Sequence, residues 1–373
     1  MQTRDFTSGI IRLLLLLGAG AGLAGCGPAA VAPCGESPGA VCGFDNPEDA
    51  ALLTGPSAEN PEAAMTAASF VLVVNGGRSD AARWFDLIDT DTDAVIAPTW
   101  REPAPSGACA PPANRRPRGF DARALDPGRW TLAAISDGRD ERGVNQRIEL
   151  FELARDAAGW ALRWTDCVAV PPAYFLNDVA LGPGTLFATH MFDRPAGWRA
   201  WLLRPAFVLG LDTGRAVMWD AAQGWRRVAG SHGAFPNGIA VDPTGSVLFV
   251  AYTYAAAVAR LDLVAGTRAD VTLPLRPDNL TWSEDPETKA AVLIAAGATG
   301  VPVLSTAGCE TLARPGCGFD FKVAEIDAAS LAVRPLFAHD RHAVPGASVA
   351  VRHGETLYLG TAFGDRVTVV ETQ

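Results

Sequence analysis

The sequence predicts an all-β chain folded as a six-bladed β-propeller with four-stranded antiparallel blades, and three observations lead there. A phrase recurs six times along the 373 residues: a polar or small residue, alternating apolar positions, a Gly/Pro turn and a second apolar strand. The copies open at Glu48, Arg118, Asn177, Asn237, Asp278 and Ala347, in steps of 70, 59, 60, 41 and 69 residues, a spacing that suits small antiparallel sheets set radially. Short apolar runs such as Ser246–Val250 and Glu355–Leu359 follow the turn signals Asp242-Pro243-Thr244-Gly245 and His353-Gly354 and read as strands. Helical periodicity is poor throughout, and 38 glycines with 27 prolines supply the turns that many hairpins need.

From the N-terminus, Arg4 and Arg12 precede an apolar stretch, Leu13–Ala24, that is short for a bilayer span and reads as a signal peptide over residues 1–25. It ends in Leu23-Ala24-Gly25-Cys26, similar to a bacterial lipoprotein cleavage box, which implies a lipid anchor at Cys26 and a place in the bacterial cell envelope. An ordinary signal peptide followed by a coincidental cysteine is the alternative. Residues 26–44 then read as lipidated cysteine and flexible tether, and 45–373 as the propeller. With 49% hydrophobic residues, one all-β domain of this length can bury a large core.

Six cysteines remain after Cys26, an even number that in an exported chain favours disulfides. Cys34/Cys42 and Cys309/Cys317 share an eight-residue step, which suggests two loop staples and leaves Cys109 with Cys167, one of 15 possible pairings. A zinc site competes weakly, because no CxxC pair is present. The net charge of −10 without a basic stripe disfavours nucleic acid, since neutralising phosphates needs clustered cations.

The strongest chemical signal lies in how the copies begin. In a propeller the first strand of each blade lines the central channel, so equivalent opening residues meet around one axis. Glu48, Asn177, Asn237 and Asp278, with Asn279 beside the last, bring two carboxylates and three amide oxygens to one place. That mixture suits calcium, which takes six to eight oxygen ligands. Asp49 and Asp178 each follow such a residue by one position and offer carboxylates for a second, buried ion. Taken singly, Asn-Gly, Asn-Asp and Asp-Asn are common turn dipeptides; four at the same phase of a repeat are harder to dismiss.

At this point the sequence resembles the paraoxonase/arylesterase family, within the wider group of gluconolactonase and strictosidine-synthase-like propellers. The segments that carry the resemblance are Pro47-Glu48-Asp49, Leu176-Asn177-Asp178-Val179, Pro236-Asn237-Gly238-Ile239, Pro277-Asp278-Asn279-Leu280 and the closing Leu357–Phe363, over roughly residues 42–373. The resemblance implies a six-bladed propeller with two calcium ions. Glu48, Asn177, Asn237, Asp278 and Asn279 match the family's catalytic-calcium ligands, Asp49 and Asp178 its structural-calcium side chains, and a backbone carbonyl at Phe120 would complete the second set.

The departures fall on the proton-transfer residues. Where the family opens its second blade with Pro-His-Gly this chain has Pro117-Arg118-Gly119, and the partner histidine is replaced by Asp137; a later histidine is replaced around Gly297-Ala298. A cation and an anion at the two dyad positions fit an ion pair. Candidate catalytic residues are Asp137 as a base near the metal, His190 as the alternative base, aligned to a histidine of the family's active-site rim, and Asp278 as a nucleophile. The bland alternatives are a turn aspartate before Gly138 and a surface-loop histidine. His232, His339, His342 and His353 read as loop histidines without a role. The blade connections 138–147 and 191–205 are candidate pocket loops, the second containing Trp198 and Trp201.

Two functions follow. The first is a calcium-dependent hydrolase of small lactones or esters, supported by the complete ligand set. The second is a non-catalytic, calcium-stabilised propeller that binds a partner, supported by the missing histidines.

Overall fold

The structure is a computed structural model that describes residues 28–53, 69–78, 80, 83–104, 109–140, 143–194, 203–309, 316–339 and 344–372. The signal peptide, Cys26, His342, Trp198 and Trp201 lie outside the described residues. Six antiparallel sheets are arranged in a ring, each with its first strand innermost and each inner strand touching the next until the circle closes. The inner strands are Ala50–Leu53, Arg116–Asp126, Leu176–Gly182, Pro236–Val241, Arg276–Glu284 and Val349–His353, in the phase of the sequence repeat.

Five blades are built from consecutive strands; blade 2 adds a parallel fragment, Thr99–Trp100, outside its fourth strand. Blade 6 has three strands from the C-terminus and takes its outermost from the N-terminus, where Ala40, Val41 and Cys42 pair with Thr368, Val367 and Arg366. This corrects the reading of 26–44 as a flexible tether, because Ala40–Cys42 closes the ring. Upstream, Ala29 and Ala30 pair with Gly318 and Cys317. Nothing in the composition of these short segments shows that they pair, since their partners lie some 300 residues away in sequence.

Strand alternation explains the core. In blade 4, Leu248, Val250 and Tyr252 face blade 3, while Phe249 and Ala251, from the same strand, face blade 5. The same period-two division gives a separate apolar cluster at each of the six blade interfaces among the described residues. The interface of blades 1 and 2 is the most aromatic, with Trp84, Trp130, Trp160 and Trp164 packed together with Phe70, Phe85 and Phe151. His339 and His353 end strands of blades 5 and 6 instead of lying in loops.

The three disulfides are Cys34–Cys42, Cys109–Cys167 and Cys309–Cys317, with Cα–Cα distances of 5.9, 6.2 and 5.5 Å. Their sequence separations are 8, 58 and 8 residues, so their effects on the unfolded chain differ. Chain-entropy reasoning gives roughly 4 kcal/mol for the long loop and roughly 2.5 for each short one. Replacing both cysteines of the 109–167 pair by serine is therefore expected to lower the midpoint of denaturant unfolding more than replacing 34 and 42. Equal midpoints for the two double variants would contradict this order.

Candidate functional site at the channel

Strict alternation would send Asn177 and Asp178 to opposite faces of their strand. Instead the inner strands of blades 2, 3, 4 and 5 shift register at the same point, between Pro117 and Phe120, Leu176 and Val179, Pro236 and Ile239, and Pro277 and Leu280. A bulge of this kind turns two consecutive residues toward one side. The channel is thereby lined in two layers, one formed by Glu48, Asn177, Asn237 and Asp278 with Asn279 and Ser348 beside them, the next by Asp49 and Asp178.

In the first layer Asn177 Nδ2 donates to Asn237 Oδ1, and Asn237 Nδ2 donates to Asp278 Oδ1 and, at 3.1 Å, to Thr253 Oγ1. Asn279 Nδ2 and Ser348 Oγ both donate to the backbone carbonyl of Glu48, at 2.8 Å each. Burial raises the pKa of Glu48, opposed by Arg118 and reinforced by Asp137. Asp278 is pushed up to about 8, first by burial and then by Glu48, against its hydrogen bond from Asn237. The sequence-predicted first-layer residues Glu48, Asn177, Asn237, Asp278 and Asn279 are thus brought together at the channel.

The second layer surrounds a narrow cavity of about 110 Å³ lined by Asp49, Phe120, Asp121 and Asp178. Asp49 accepts from its own neighbour Ala50 N at 2.9 Å and from Phe120 N in the next blade at 2.8 Å. Asp178 does the same with Val179 N at 2.7 Å and Ile239 N at 2.9 Å. Burial pushes Asp49 up to about 8 despite these bonds, with repulsion from Glu48 and Asp121 adding, and pushes Asp178 well up too, with repulsion from Asp49 and Asp121 adding. Gly119 and Gly238 leave the room these groups need: a Cβ on Gly119 would come within 2.5 Å of Asp178 Oδ1, and one on Gly238 within 2.5 Å of Asp278 O.

Asp121 was not apparent from the sequence. It repeats the same latch one step further along the channel, accepting from Ala122 N at 2.8 Å and Leu181 N at 2.7 Å, and burial raises it as well. Its signal is faint because it stands three residues after the blade opening at Arg118, whereas Asp49 and Asp178 stand one after theirs.

A hard cation fits this donor set. Asn279 Oδ1 is buried without a hydrogen-bond donor, although its amide nitrogen is engaged. Among the described residues no cationic side chain offsets the second-layer carboxylates Asp49 and Asp178, and an uncompensated buried charge is costly. Among the described residues no three His, Cys, Asp or Glu side chains converge as a cluster of their own. The oxygen set is instead mixed, carboxylate with amide, as calcium takes it.

Above the first layer opens a chamber of about 450 Å³, whose described wall includes Glu48, Arg118, Asn177, Asn237, Arg276, Asp278 and Ala298. Its sides are aromatic. Phe192 packs on Phe175 and Phe207 at 5.0 and 5.6 Å between centroids, and Phe207 meets Phe235 and Tyr254 at 4.9 and 5.3 Å. Phe207 comes from the short helix Leu203–Val208, and Met191, Phe192 and Arg204 of the expected 191–205 loop also line the chamber. These rings come from separate segments, and nothing in their sequence neighbourhood points to a common wall. The other expected pocket loop, 138–147, largely belongs to the paired strands Arg129–Asp140 and Gly143–Asp156, and none of its described residues lines the chamber.

Two of the three catalytic candidates stand outside the chamber wall. Asp137 Oδ2 is 2.6 Å from Arg118 Nε and its Oδ1 accepts from Gln146 Nε2 at 2.9 Å, so the expected ion pair is formed and the carboxylate is engaged at both oxygens. Arg118 also lies over the Phe175 ring, 5.3 Å from its centroid. His190 is fully buried and is corrected from a loop residue to the end of the strand Thr185–His190. Its Nδ1 accepts from Phe175 N at 3.0 Å, which leaves the proton on Nε2 to bond Asp193 Oδ1 at 2.8 Å. Burial lowers its pKa, so the ring is held neutral with no free lone pair for a substrate proton. Asp278 alone of the three lines the chamber.

No protein-family model and no curated protein matches the chain. Solved structures similar to it include a luciferin-regenerating enzyme, at 14% identity over 82% of this chain and 87% of that one with a TM-score of 0.45. The major Malassezia sympodialis allergen Mala s 1 is similar at 11% identity over 90% and 96%, with a TM-score of 0.49. A nidogen/laminin complex is similar at 11% identity over 84% and 86%, with a TM-score of 0.41. Likeness of this degree says nothing about activity, and the fold rests on the sheets themselves.

The buried carboxyls set a pH dependence for the metal-free protein. Asp49 and Asp278 titrate near 8 when folded and near 3.8 when unfolded, so the folded state binds more protons between those values. Their contribution to stability is full below about pH 4 and is lost as pH rises toward 8, at a slope on the order of 1 kcal/mol per pH unit per carboxyl. His190, whose pKa is lowered on folding, acts in the opposite sense below its unfolded value of 6.5 but is one group against several. The chelated protein should melt lower at pH 8 than at pH 5, and saturating calcium should reduce the difference. A chelated melting temperature that rises over this window would contradict the assignment.

Proposed function

We propose that this chain is a calcium-dependent hydrolase of small lactones or esters, as its resemblance to the paraoxonase/arylesterase family implies. The observation that supports this reading is the meeting of Glu48, Asn177, Asn237 and Asp278 on the wall of an aromatic-sided chamber of about 450 Å³. Those residues with Asn279 would hold one ion, and Asp49, Asp178 and the Phe120 carbonyl a second. When bound, calcium in the first site supplies polarisation of a carbonyl and positive charge for a developing oxyanion.

The remaining work falls to the chain's own side chains. The Phe175, Phe192, Phe207 and Tyr254 rings take up the apolar part of a substrate and exclude water around it. Arg118, oriented by Asp137 and Phe175, presents guanidinium N–H groups to a substrate oxygen. With Asp137 and His190 engaged elsewhere, Asp278, the candidate nucleophile, is the one of the three that lines the chamber. Lipidation at Cys26 and a place in the bacterial cell envelope belong to the same proposal.

The second reading, a non-catalytic calcium-stabilised propeller, is favoured by one observation: the dyad positions hold a closed Arg118–Asp137 ion pair. A panel of lactones and aryl esters, assayed with calcium and after chelation, separates the two. The hydrolase reading expects calcium-dependent turnover reduced at least 100-fold by Asp278→Ala and by Asn177→Ala, with both variants folded. Absence of turnover across the panel, with calcium still raising the melting temperature, would leave the binding propeller.

A further inference from the structure

A second and larger cavity, of about 570 Å³, opens at the opposite end of the channel. It is lined by the far ends of the inner strands of blades 2 to 5 and by facing walls of blades 4 and 5, and no lining residue is common to it and the chamber. Its walls are mainly apolar, with Leu181, Val247, Phe249 and Trp282 among them.

Most polar atoms here are satisfied from within. Both Asp121 oxygens accept backbone N–H groups, and Asp242 Oδ1 accepts from Ser246 N and Val247 N at 2.7 Å each. Trp282 Nε1 donates to Val241 O at 3.0 Å, and Arg123 reaches across blades to Leu181 O at 3.4 Å and Pro243 O at 3.2 Å. Arg260 differs. It stands directly opposite Phe249 in the register of blade 4, and its Nε is buried without an acceptor.

A guanidinium with an unpaired buried N–H at the wall of an apolar cavity matches an oxygen anion carrying an apolar body. Two arginines at the same mouth repel a cation, and a neutral apolar guest would leave the Arg260 N–H unpaired. Asp121 and Asp242 are already engaged by backbone N–H groups, so the unpaired group at this wall is a donor, not an acceptor. We propose that this cavity is a binding site for small amphipathic carboxylates, with the apolar chain against the wall formed by Leu181, Val247 and the packed Phe249–Trp282 pair, the carboxylate on Arg260, and Arg123 adding positive potential. Its volume lies within the range of roughly 300–1,000 Å³ typical of small-molecule sites.

The test is isothermal titration of the protein with decanoate, with decanol as the uncharged control. Saturable one-to-one binding is expected, weakened at least tenfold by Arg260→Met, while the weaker binding of decanol is unchanged by that substitution. Ala329→Trp, at an exposed turn residue lining the cavity, should abolish binding by filling it without touching the core. Phe207→Ala, in the chamber wall, should leave decanoate binding unchanged. No saturable binding, binding that survives both far-mouth substitutions in folded protein, or loss on Phe207→Ala instead would overturn the assignment. The readout is binding and not turnover, so the outcome is independent of whether the chamber hydrolyses esters.

Discussion

The repeated bulge in the inner strands is the constraint on which the rest of this molecule depends. A regular strand shows the channel one residue in two. By breaking that alternation at one height in four blades, the chain presents consecutive polar residues to the axis, Asn177 with Asp178 and Asp278 with Asn279 among them. The cost is the burial of several carboxylates where water cannot solvate them, which is why Asp49 and Asp278 are held near 8 without a cation. That gathering of buried oxygen at the centre is what supports the proposal of a bound cation.

The same carboxylates also join the blades. Asp49 binds the backbone of blade 2, Asp121 that of blade 3 and Asp178 that of blade 4, each bridging the N–H of the residue after it and one from the next inner strand. Thr281 continues the theme from blade 5 to the Ala350 carbonyl of blade 6. Adjacent blades otherwise meet through apolar clusters, which are non-directional and tolerate sliding. The aspartate latches fix the relative height of neighbouring strands, and height decides which oxygens converge. Stability and the geometry of the candidate ion sites therefore rest on the same groups, and a substitution in the second layer acts on both.

Much of this was legible in the sequence wherever local chemistry carries the information. The opening residues of the six copies show the blade phase, and the eight-residue steps of Cys34/Cys42 and Cys309/Cys317 show the short staples. What stayed hidden depends on distant partners. Ala40–Cys42 looks like tether until Thr368, Val367 and Arg366 are beside it. His190 looks like a base until Phe175 N and Asp193 occupy both its nitrogens. The aromatic wall is hidden for the same reason, since Phe175, Phe207 and Tyr254 share no local pattern and meet only when blades 3 and 4 are assembled.

The Arg118–Asp137 pair is where the two functional readings meet. An arginine at the channel phase, beside Glu48, places positive charge next to a proposed cation site and would by itself oppose an ion there. Asp137 offsets that charge at 2.6 Å, and Gln146, which holds Asp137, also grips both backbone groups of Leu176 at the start of blade 3. The pair is thus tied to the strand that delivers Asn177 and Asp178. A cation at this position demands an anion in reach, and the anion demands its own support; Arg118, Asp137 and Gln146 form one unit. Such a unit offsets the charge of Arg118 beside the proposed ligand set and places a guanidinium on the chamber wall, where, in the proposed hydrolase, it would recognise a substrate oxygen but not accept a proton.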